Sequence, residues 1–154
     1  MPAALDARCR VRRSRPSYDE SLPPAFVMAN PAPRRVLVAD DEPAVRRLLQ
    51  HILEARGFEA VLAASGREAI ERADRDLACA LVDLRMPELD GFAVLTQLQR
   101  RQPRLPVVIM SAVAEPPDVA EARAKGAAEF LAKPFDVERL MAVVTALAGP
   151  PPPR

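Results

Sequence analysis

This chain is poor in the residues that many covalent enzymes and secreted scaffolds require. Its single histidine, His51, lies beside an apolar helical stripe, so no Ser/His/Asp or Cys/His nucleophile system can be assembled around it. Two cysteines, Cys9 and Cys79, provide no disulfide framework and suit a reducing compartment. No apolar run approaches the roughly 18 to 20 residues of a membrane helix, and the N-terminus lacks a secretory h-region. We therefore expect a cytoplasmic protein with no membrane partner.

The charged residues are unevenly distributed along the chain. Residues 1–35 hold seven arginines and three acids, a net charge of +4, which leaves 15 basic and 18 acidic residues and a net charge of −3 for the remainder. A mildly acidic remainder argues against a nucleic-acid-binding surface there. The arginine cluster of the N-terminal stretch has no interleaved aromatic residues and is more typical of a solvated tail.

Proline marks both ends of the chain. Residues 1–33 contain six prolines and no sustained apolar period, which predicts a disordered leader, and residues 149–154 form a Pro-rich tail. Met28 lies shortly before the first apolar run, so a translation start there is an alternative to Met1. The 154 residues, 49% of them hydrophobic, are enough for one domain with a sizeable core.

Between these ends, strand and helix patterns alternate five times. A strand is predicted over 58–63, a capping box by Ser65 and Glu68, and a weakly packed, mobile helix over 117–125, where Val119 is the only large apolar residue. Apolar residues at helical spacing predict buried stripes on the first and fifth helices: Val45, Leu48, Leu49, Ile52 and Leu53, and Val137, Leu140, Met141, Val144 and Ala148. A third helix is lined by Phe92, Leu95 and Leu98 or Gln99.

Strict alternation of strands and helices, with strands apolar on both faces, predicts a parallel sheet covered by helices on both sides. We expect an α/β, flavodoxin-like, doubly wound fold of five parallel strands in the order 2-1-3-4-5 with five helices, over residues 34–148. In that order the second strand is an edge strand, and it alone does not end at a reactive residue.

Polar side chains follow the other four strands at the point where each ends. They are Asp40 and Asp41, Asp83, Ser111 and Lys133. Because the carboxyl ends of parallel strands meet at one edge, where open α/β sheets bind ligands, these residues should share one pocket. Paired acids converging with a third carboxylate favour a cation site over simple helix capping, since uncompensated carboxylates repel one another.

Five short motifs follow these strands in a fixed order. They are Val-Ala-Asp-Asp-Glu at 38–42, Val-Asp-Leu-Arg-Met-Pro at 82–87, Asp-Gly at 90–91, Ser-Ala at 111–112 and Lys-Pro-Phe at 133–135. Through them the chain resembles the receiver domain of two-component response regulators, of the single-domain, chemotaxis-regulator-like type.

The resemblance implies that Asp83 is the phosphoacceptor, taking a phosphoryl group from a phosphohistidine. A carboxylate suits this role because it is ionised at neutral pH without a helper base. Asp40, Asp41, Asp83 and the backbone carbonyl of Arg85 would hold Mg²⁺, a hard cation that prefers oxygen ligands.

The resemblance also assigns roles to the last two strands. Lys133 would place its ammonium against a phosphoryl oxygen, and Ser111 would donate a hydrogen bond to another. The Lys133–Pro134 peptide bond would be cis. Phe130 matches an aromatic switch position, with simple core packing as the alternative role.

The leading hypothesis is a stand-alone receiver domain, a signalling phosphoacceptor rather than an enzyme, because only six residues follow the last helix. Its implied partners are a sensor histidine kinase or histidine phosphotransfer protein, a downstream protein target and, as an alternative, a second copy of the chain. The signal would leave by protein contact or by phosphorelay. Two alternatives stay open: a Mg²⁺-dependent aspartyl-phosphate phosphohydrolase, disfavoured by the lack of Asp-x-Asp after the first strand, and a nucleic-acid-binding regulator acting through the basic leader.

Overall fold

A computed structural model describes residues 32–153, and Pro33–Pro153 form one folded unit. Most of the expected leader, including Cys9, Met28 and the arginine cluster, lies outside the described residues. The strands are β1 (Arg35–Ala39), β2 (Glu59–Ala63), β3 (Leu77–Asp83), β4 (Val107–Ser111) and β5 (Glu129–Ala132). The helices are α1 (Pro43–Ala55), α2 (Gly66–Arg72), α3 (Gly91–Arg101), α4 (Pro116–Ala124) and α5 (Val137–Ala148).

The five strands form one parallel sheet in the order β2-β1-β3-β4-β5, which confirms the predicted topology. Its register brings the carboxyl ends of four strands level with one another. Ala39 pairs with Val82, Asp83 with Met110, and Ser111 with Ala132. Asp40, Asp83, Ser111 and Lys133 therefore emerge at the same edge of the sheet.

Successive strand residues point to opposite faces, and each face has its own apolar core. On one face, Leu37, Val82 and Ile109 pack with residues of α2, α3 and α4. On the other face, Leu81 and Met110 pack with residues of α1 and α5. The fold is therefore doubly wound, with two helices on one side and three on the other. No helix within the described residues is long and apolar enough to cross a membrane.

Side-chain caps fix the starts of three helices. The Ser65 hydroxyl accepts from the Glu68 N–H at 3.1 Å, and the Glu68 carboxylate accepts from the Ala64 N–H, which confirms the capping box with its return bond one residue earlier. Asp90 caps α3, and Asp136 caps α5. Helices α1 and α4 instead begin at prolines, without a side-chain cap.

Two residues of the predicted buried stripes are exposed. Leu48 of α1 is 53% exposed and Val137 of α5 is 38% exposed, so the prediction was wrong for both. Leu48 lies at the rim of the α1 stripe, whose fully buried members are Leu49 and Leu53, and Val137 is the first residue of its helix. Conversely, Val94 of α3, which no periodicity singled out, is fully buried.

Helix α4 is the least anchored helix. Of its nine residues only Ala122 is buried, and Val119 is half-buried. Helix α5 by contrast buries five residues, among them Leu140, Met141 and Val144. The expectation of weak packing agrees with this burial, although the helix spans Pro116–Ala124 rather than 117–125.

Candidate functional site

Three carboxylates converge at the carboxyl edge of the sheet. Asp40, Asp41 and Asp83 each offer an oxygen atom within 4.8 Å of the others. Asp40 and Asp83 are buried, whereas Asp41 is exposed on the turn that leads into α1. This arrangement presents a ring of hard oxygen ligands with one side open to solvent, which suits a divalent cation that keeps part of its water shell.

Asp40 is held more firmly than its neighbours. Its N–H donates to the Ala63 carbonyl at 3.1 Å and extends the pairing of β1 with β2. One carboxylate oxygen accepts from the Glu42 N–H at 2.9 Å, and its backbone carbonyl accepts from Arg46 Nη1 at 2.6 Å. The Asp40 side chain therefore braces the turn before α1, whose N-cap residue Glu42 makes no side-chain cap hydrogen bond.

Lys133 places its ammonium between two of the acids. Its Nζ lies 2.6 Å from Asp40 Oδ2 and 3.1 Å from Asp83 Oδ1. Burial lowers the pKa of Lys133, but the hydrogen bonds to the two carboxylates outweigh burial and raise it overall, so the residue stays charged. Its position follows from β5, because the Lys133 N–H donates to the Ser111 carbonyl at 2.8 Å and continues the sheet by one residue. The Lys133–Pro134 bond is cis.

Burial and neighbouring charges act on the carboxylate of Asp83. Burial raises its pKa, the hydrogen bond from Lys133 lowers it, and the charge of Asp40 raises it again, with a resulting value of about 6. The carboxylate is thus ionised at neutral pH, but its surroundings disfavour that charge. A buried, ionised carboxylate beside a fixed ammonium is a suitable nucleophile for a phosphoryl group.

The Ser111 hydroxyl is satisfied within its own loop. It donates to the Val113 carbonyl at 2.9 Å and accepts from the Val113 N–H at 3.1 Å. Ser111 is fully buried at the end of β4, the strand next to β3. A ligand oxygen that accepted from this hydroxyl would have to replace the Val113 carbonyl.

The side chains of two further predicted site residues, Phe130 and Arg85, contact groups outside the acidic cluster. Phe130 is partly buried and packs on the sheet face that carries α2, α3 and α4. The Arg85 guanidinium pairs with Asp118 of α4, Nη2 to Oδ2 at 3.0 Å. His51 is exposed on α1. Cys79 is core, where burial raises the thiol pKa to about 12 and keeps it protonated and unreactive.

Sequence reasoning missed a close approach at Gly91. A Cβ atom there would lie 2.6 Å from the Asp83 carbonyl oxygen and 2.8 Å from Leu84 Cα. Helix α3 therefore starts directly against the backbone that carries Asp83, and only glycine leaves room for it. The Asp90–Gly91 pair was visible in the sequence as a motif, but its contact with Asp83 depends on the folded chain.

An apolar groove beside the site was missed as well. It has a volume of about 470 Å³ and runs between α1 and the start of α5. Its walls are formed by Val45, Leu48, Ile52, Ala112, Lys133, Pro134, Phe135 and Val137. The two exposed residues of the predicted stripes, Leu48 and Val137, thus line one groove, and Lys133 connects that groove to the acids.

The chain matches a known family along most of the folded unit. The family model for the response regulator receiver domain matches residues 36–145. The regulatory protein AtoC of Escherichia coli is 40% identical over 111 residues, which are 71% of this chain and 24% of AtoC. The chain spans less than half the length of the curated relatives it matches first.

Two solved structures show the same similarity in three dimensions. Chemotaxis protein CheY4 of Vibrio cholerae is 29% identical with a TM-score of 0.71, over 75% of this chain and 99% of CheY4. Response regulator TrrA of Thermotoga maritima, in complex with Mg²⁺ and BeF, is 26% identical with a TM-score of 0.67, over 74% of this chain and 98% of TrrA. Together with the parallel sheet and the acidic cluster at its edge, these matches show that the chain belongs to the response regulator receiver domain family.

Proposed function

We propose that Asp83 accepts a phosphoryl group from a phosphohistidine of a sensor histidine kinase or a histidine phosphotransfer protein. A carboxylate oxygen of Asp83 attacks phosphorus, the P–N bond breaks, and the imidazole leaves with the electron pair of that bond. The observation that carries this proposal is the position of Asp83, buried at the end of the central strand, in contact with Lys133 and beside two further acids. The chain is then a signalling phosphoacceptor that assists its own phosphorylation.

Mg²⁺ fits the donor set of this site. Three carboxylates within 4.8 Å are hard ligands, and Lys133 offsets the charge of only two of them. Asp40, Asp41 and Asp83 would hold the ion, with the Arg85 carbonyl as a fourth ligand by family resemblance. Bound Mg²⁺ would offset the negative charge that the carboxylates and the phosphoryl oxygens bring together.

Lys133 and Ser111 would bind the transferred group. The Lys133 ammonium already contacts Asp83, so a phosphoryl oxygen on that carboxylate would arrive beside a fixed positive charge. The Ser111 hydroxyl would exchange the Val113 carbonyl for a phosphoryl oxygen. Movement of the Ser111 loop would open space for Phe130, which packs on the α4 side of the sheet.

The apolar groove beside Lys133 would receive a helix of the phosphohistidine-bearing partner. The groove contains Leu48 and Val137, two of the exposed large hydrophobic residues within the described part of the chain. Lys133 lines the groove and also contacts Asp83. A partner bound in the groove would therefore bring its phosphohistidine close to Asp83. Exposed apolar surface of this kind is typical of protein interfaces.

The output of the folded unit, which we assign to residues 34–148, would be a protein contact or a phosphorelay in the cytoplasm. Adjacent acids after β1 and a nucleophile candidate after β3 do not favour the phosphohydrolase alternative. The basic leader, on which the nucleic-acid alternative depends, lies outside the described residues.

Phosphate incorporation from a small-molecule phosphodonor tests this proposal. Incubation with acetyl phosphate and Mg²⁺ should add one acid-stable, base-labile phosphate per chain, located by mass spectrometry on Asp83. Chelator and Asp83→Asn should each abolish it. Asp136→Asn is a matched control, because Asp136 caps α5 and asparagine caps a helix equally well. Stoichiometric labelling of the Asp83→Asn protein would refute the assignment.

A further inference from the structure

An ion pair joins the loop that follows Asp83 to the start of α4. Arg85 Nη2 lies 3.0 Å from Asp118 Oδ2, with the Arg85 side chain 64% exposed and that of Asp118 19% exposed. Arg85 is two residues beyond Asp83, and Asp118 lies in the first turn of α4. This ion pair therefore connects the loop beside the proposed phosphorylation site with the least anchored helix of the fold.

The other contacts that hold the start of α4 are few. The helix buries only Ala122, and its N-cap residue Glu115 makes no side-chain cap hydrogen bond. Exposed ion pairs are individually weak. The pair with Arg85 nevertheless matters here, because few other contacts hold the start of α4. A weak pair is also one that a stronger anion can displace.

A phosphoryl group on Asp83 would be such an anion. The planar guanidinium fork of arginine matches phosphate oxygens in geometry, and hydrogen bonds between two charged groups are stronger than neutral ones. Within the described residues, Arg85 forms no other ion pair than the one with Asp118. Its side chain is mostly exposed, and Arg85 lies only two residues from Asp83 in the chain.

We propose that Arg85 is a phosphoryl-binding residue that Asp118 retains on α4 until Asp83 is modified. The exchange rests on the proposed phosphorylation of Asp83. When the phosphoryl group is present, Arg85 leaves Asp118 and binds a phosphoryl oxygen. Asp118 then loses its partner, and the start of α4 is released. The Arg85 side chain thereby links phosphorylation to the start of α4.

If Asp118 and the phosphoryl group compete for Arg85, substitutions of the two residues should have effects that a purely structural ion pair does not predict. Removing either partner of a structural pair loosens α4 in the same way. Under competition the two substitutions change phosphoryl affinity in opposite directions, because Arg85→Gln removes a ligand and Asp118→Asn removes its competitor. In the double variant Asp118→Asn should have no effect, because no arginine is left to release.

The test measures the affinity for beryllium fluoride, a stable mimic of a phosphoryl group on a carboxylate, by calorimetry at saturating Mg²⁺. We expect Arg85→Gln to weaken binding and Asp118→Asn to tighten it, each by about fivefold. Arg85→Lys, which keeps the charge and loses the fork, should fall between wild type and Arg85→Gln. Glu121→Gln is the charge control, since Glu121 pairs with Lys125 on the same helix.

The outcomes separate this exchange from the function on which it rests. Equal tightening by Asp118→Asn in the wild-type and Arg85→Gln backgrounds, or by Glu121→Gln, would reduce the effect to general charge and overturn the exchange. Wild-type protein that binds beryllium fluoride with unchanged affinity in Arg85→Gln would also overturn it, with the proposed function intact. Wild-type protein that binds none would refute the proposed function itself.

Amide exchange gives a second readout at α4. In wild type, beryllium fluoride should speed exchange over residues 115–121, and in Asp118→Asn that exchange should already be fast without it. Slow exchange in unliganded Asp118→Asn, equal to that of the unliganded wild type, would contradict the release of α4.

Discussion

The carboxylate of Asp83 lies in surroundings that disfavour its charge. Burial and the nearby charge of Asp40 raise its pKa to about 6, although the hydrogen bond from Lys133 lowers it. Between pH 4 and that value the folded state holds a proton that the unfolded chain has lost. By linkage, the contribution of Asp83 to stability is greatest below pH 4 and declines as the pH rises to about 6. The contribution of Asp83 to the free energy of unfolding that is lost over this pH range is at most about 3 kcal/mol.

Asp83→Asn should therefore stabilise the metal-free protein at pH 7 by about 1–3 kcal/mol, and the gain should vanish near pH 4. Denaturant unfolding in chelator, followed by circular dichroism because the chain has no tryptophan, measures this difference. Asp40→Asn is the contrasting variant. It removes the closest partner of Lys133 and should destabilise the protein at pH 7. An Asp83→Asn protein less stable than wild type at pH 7 would contradict the argument.

The Lys133 ammonium offsets the negative charge of the Asp40 and Asp83 carboxylates in the metal-free state. Lys133→Met keeps the apolar stem that lines the groove but removes the ammonium, so we expect a loss of about 1–3 kcal/mol in chelator. Saturating Mg²⁺ should recover much of that loss, while phosphorylation from acetyl phosphate stays impaired. Lys125→Met, at an exposed pair of α4, is the control and should change neither property. Normal phosphorylation of Lys133→Met would exclude the phosphoryl-binding role.

Among the elements, α4 and α5 differ most in how firmly they are seated. A fully buried Leu, Met or Val stabilises by roughly 1.5–3 kcal/mol, whereas a buried alanine contributes about 1 kcal/mol or less. With Ala122 as its only buried residue, α4 can move at a small fraction of the free energy that would be needed to displace α5. A conformational response at the sheet edge should therefore appear in α4 first.

Phe130 is placed to transmit that response, because it packs on the sheet face that α4 covers. Phe130→Ala should leave phosphorylation of Asp83 intact and reduce the change in amide exchange over residues 115–125 on adding phosphodonor, leaving the part that the release of Asp118 causes. Phe135→Ala is the matched control, since Phe135 packs on the opposite face with α1 and α5. An unchanged α4 response in Phe130→Ala would remove Phe130 from the switch and leave it a core residue.

The start of α3 depends on Gly91 for its approach to Asp83. In Gly91→Ala the new Cβ meets backbone that cannot yield, so the Asp83 strand end or the helix must shift. We expect a loss of about 2 kcal/mol or more and a reduced rate of phosphorylation. Gly66→Ala creates similar strain against Leu89 and Val94, away from Asp83, and should lose stability while the remaining folded protein is phosphorylated normally. Equal phosphorylation of both variants would show that the position of Asp83 is insensitive to α3.

The elements could be predicted from the sequence because their signals are local. Apolar runs, prolines and caps such as Ser65 and Asp136 act within a few residues, and the reactive strand ends follow from the parallel order. The exposure of Leu48 could not be predicted, since it depends on how far the sheet extends beneath α1. The Arg85–Asp118 pair joins residues 33 positions apart. The hydrogen bond from Ser111 to the Val113 carbonyl depends on which rotamer the serine adopts. Such side-chain partners are set by the folded chain, not by any period.

At the scale of the whole molecule, the site exists only when the sheet is complete. The site residues Asp40, Asp83, Ser111 and Lys133 lie at or directly after the ends of four different strands. The register of β1, β3, β4 and β5 brings these ends level. A cation that binds the three carboxylates therefore has a preformed site only in the folded state. Binding to the folded state alone stabilises it by mass action, by about 2.7 kcal/mol at a free concentration 100 times the dissociation constant.

Mg²⁺ should accordingly raise the unfolding midpoint at pH 7, by roughly 4 °C for each kcal/mol in a domain of this size. The rise should grow linearly with the logarithm of Mg²⁺ concentration above the dissociation constant, at constant ionic strength set with NaCl. It should be much smaller at pH 5, because Asp83, with a pKa of about 6, then holds a proton that competes with the ion. In Asp83→Asn, Mg²⁺ should raise the unfolding midpoint at pH 7 much less than in wild type. The effect of Mg²⁺ on that variant should also be nearly the same at pH 5 and pH 7. A midpoint that rises equally in Asp83→Asn and wild type would place the ion elsewhere than among these three carboxylates.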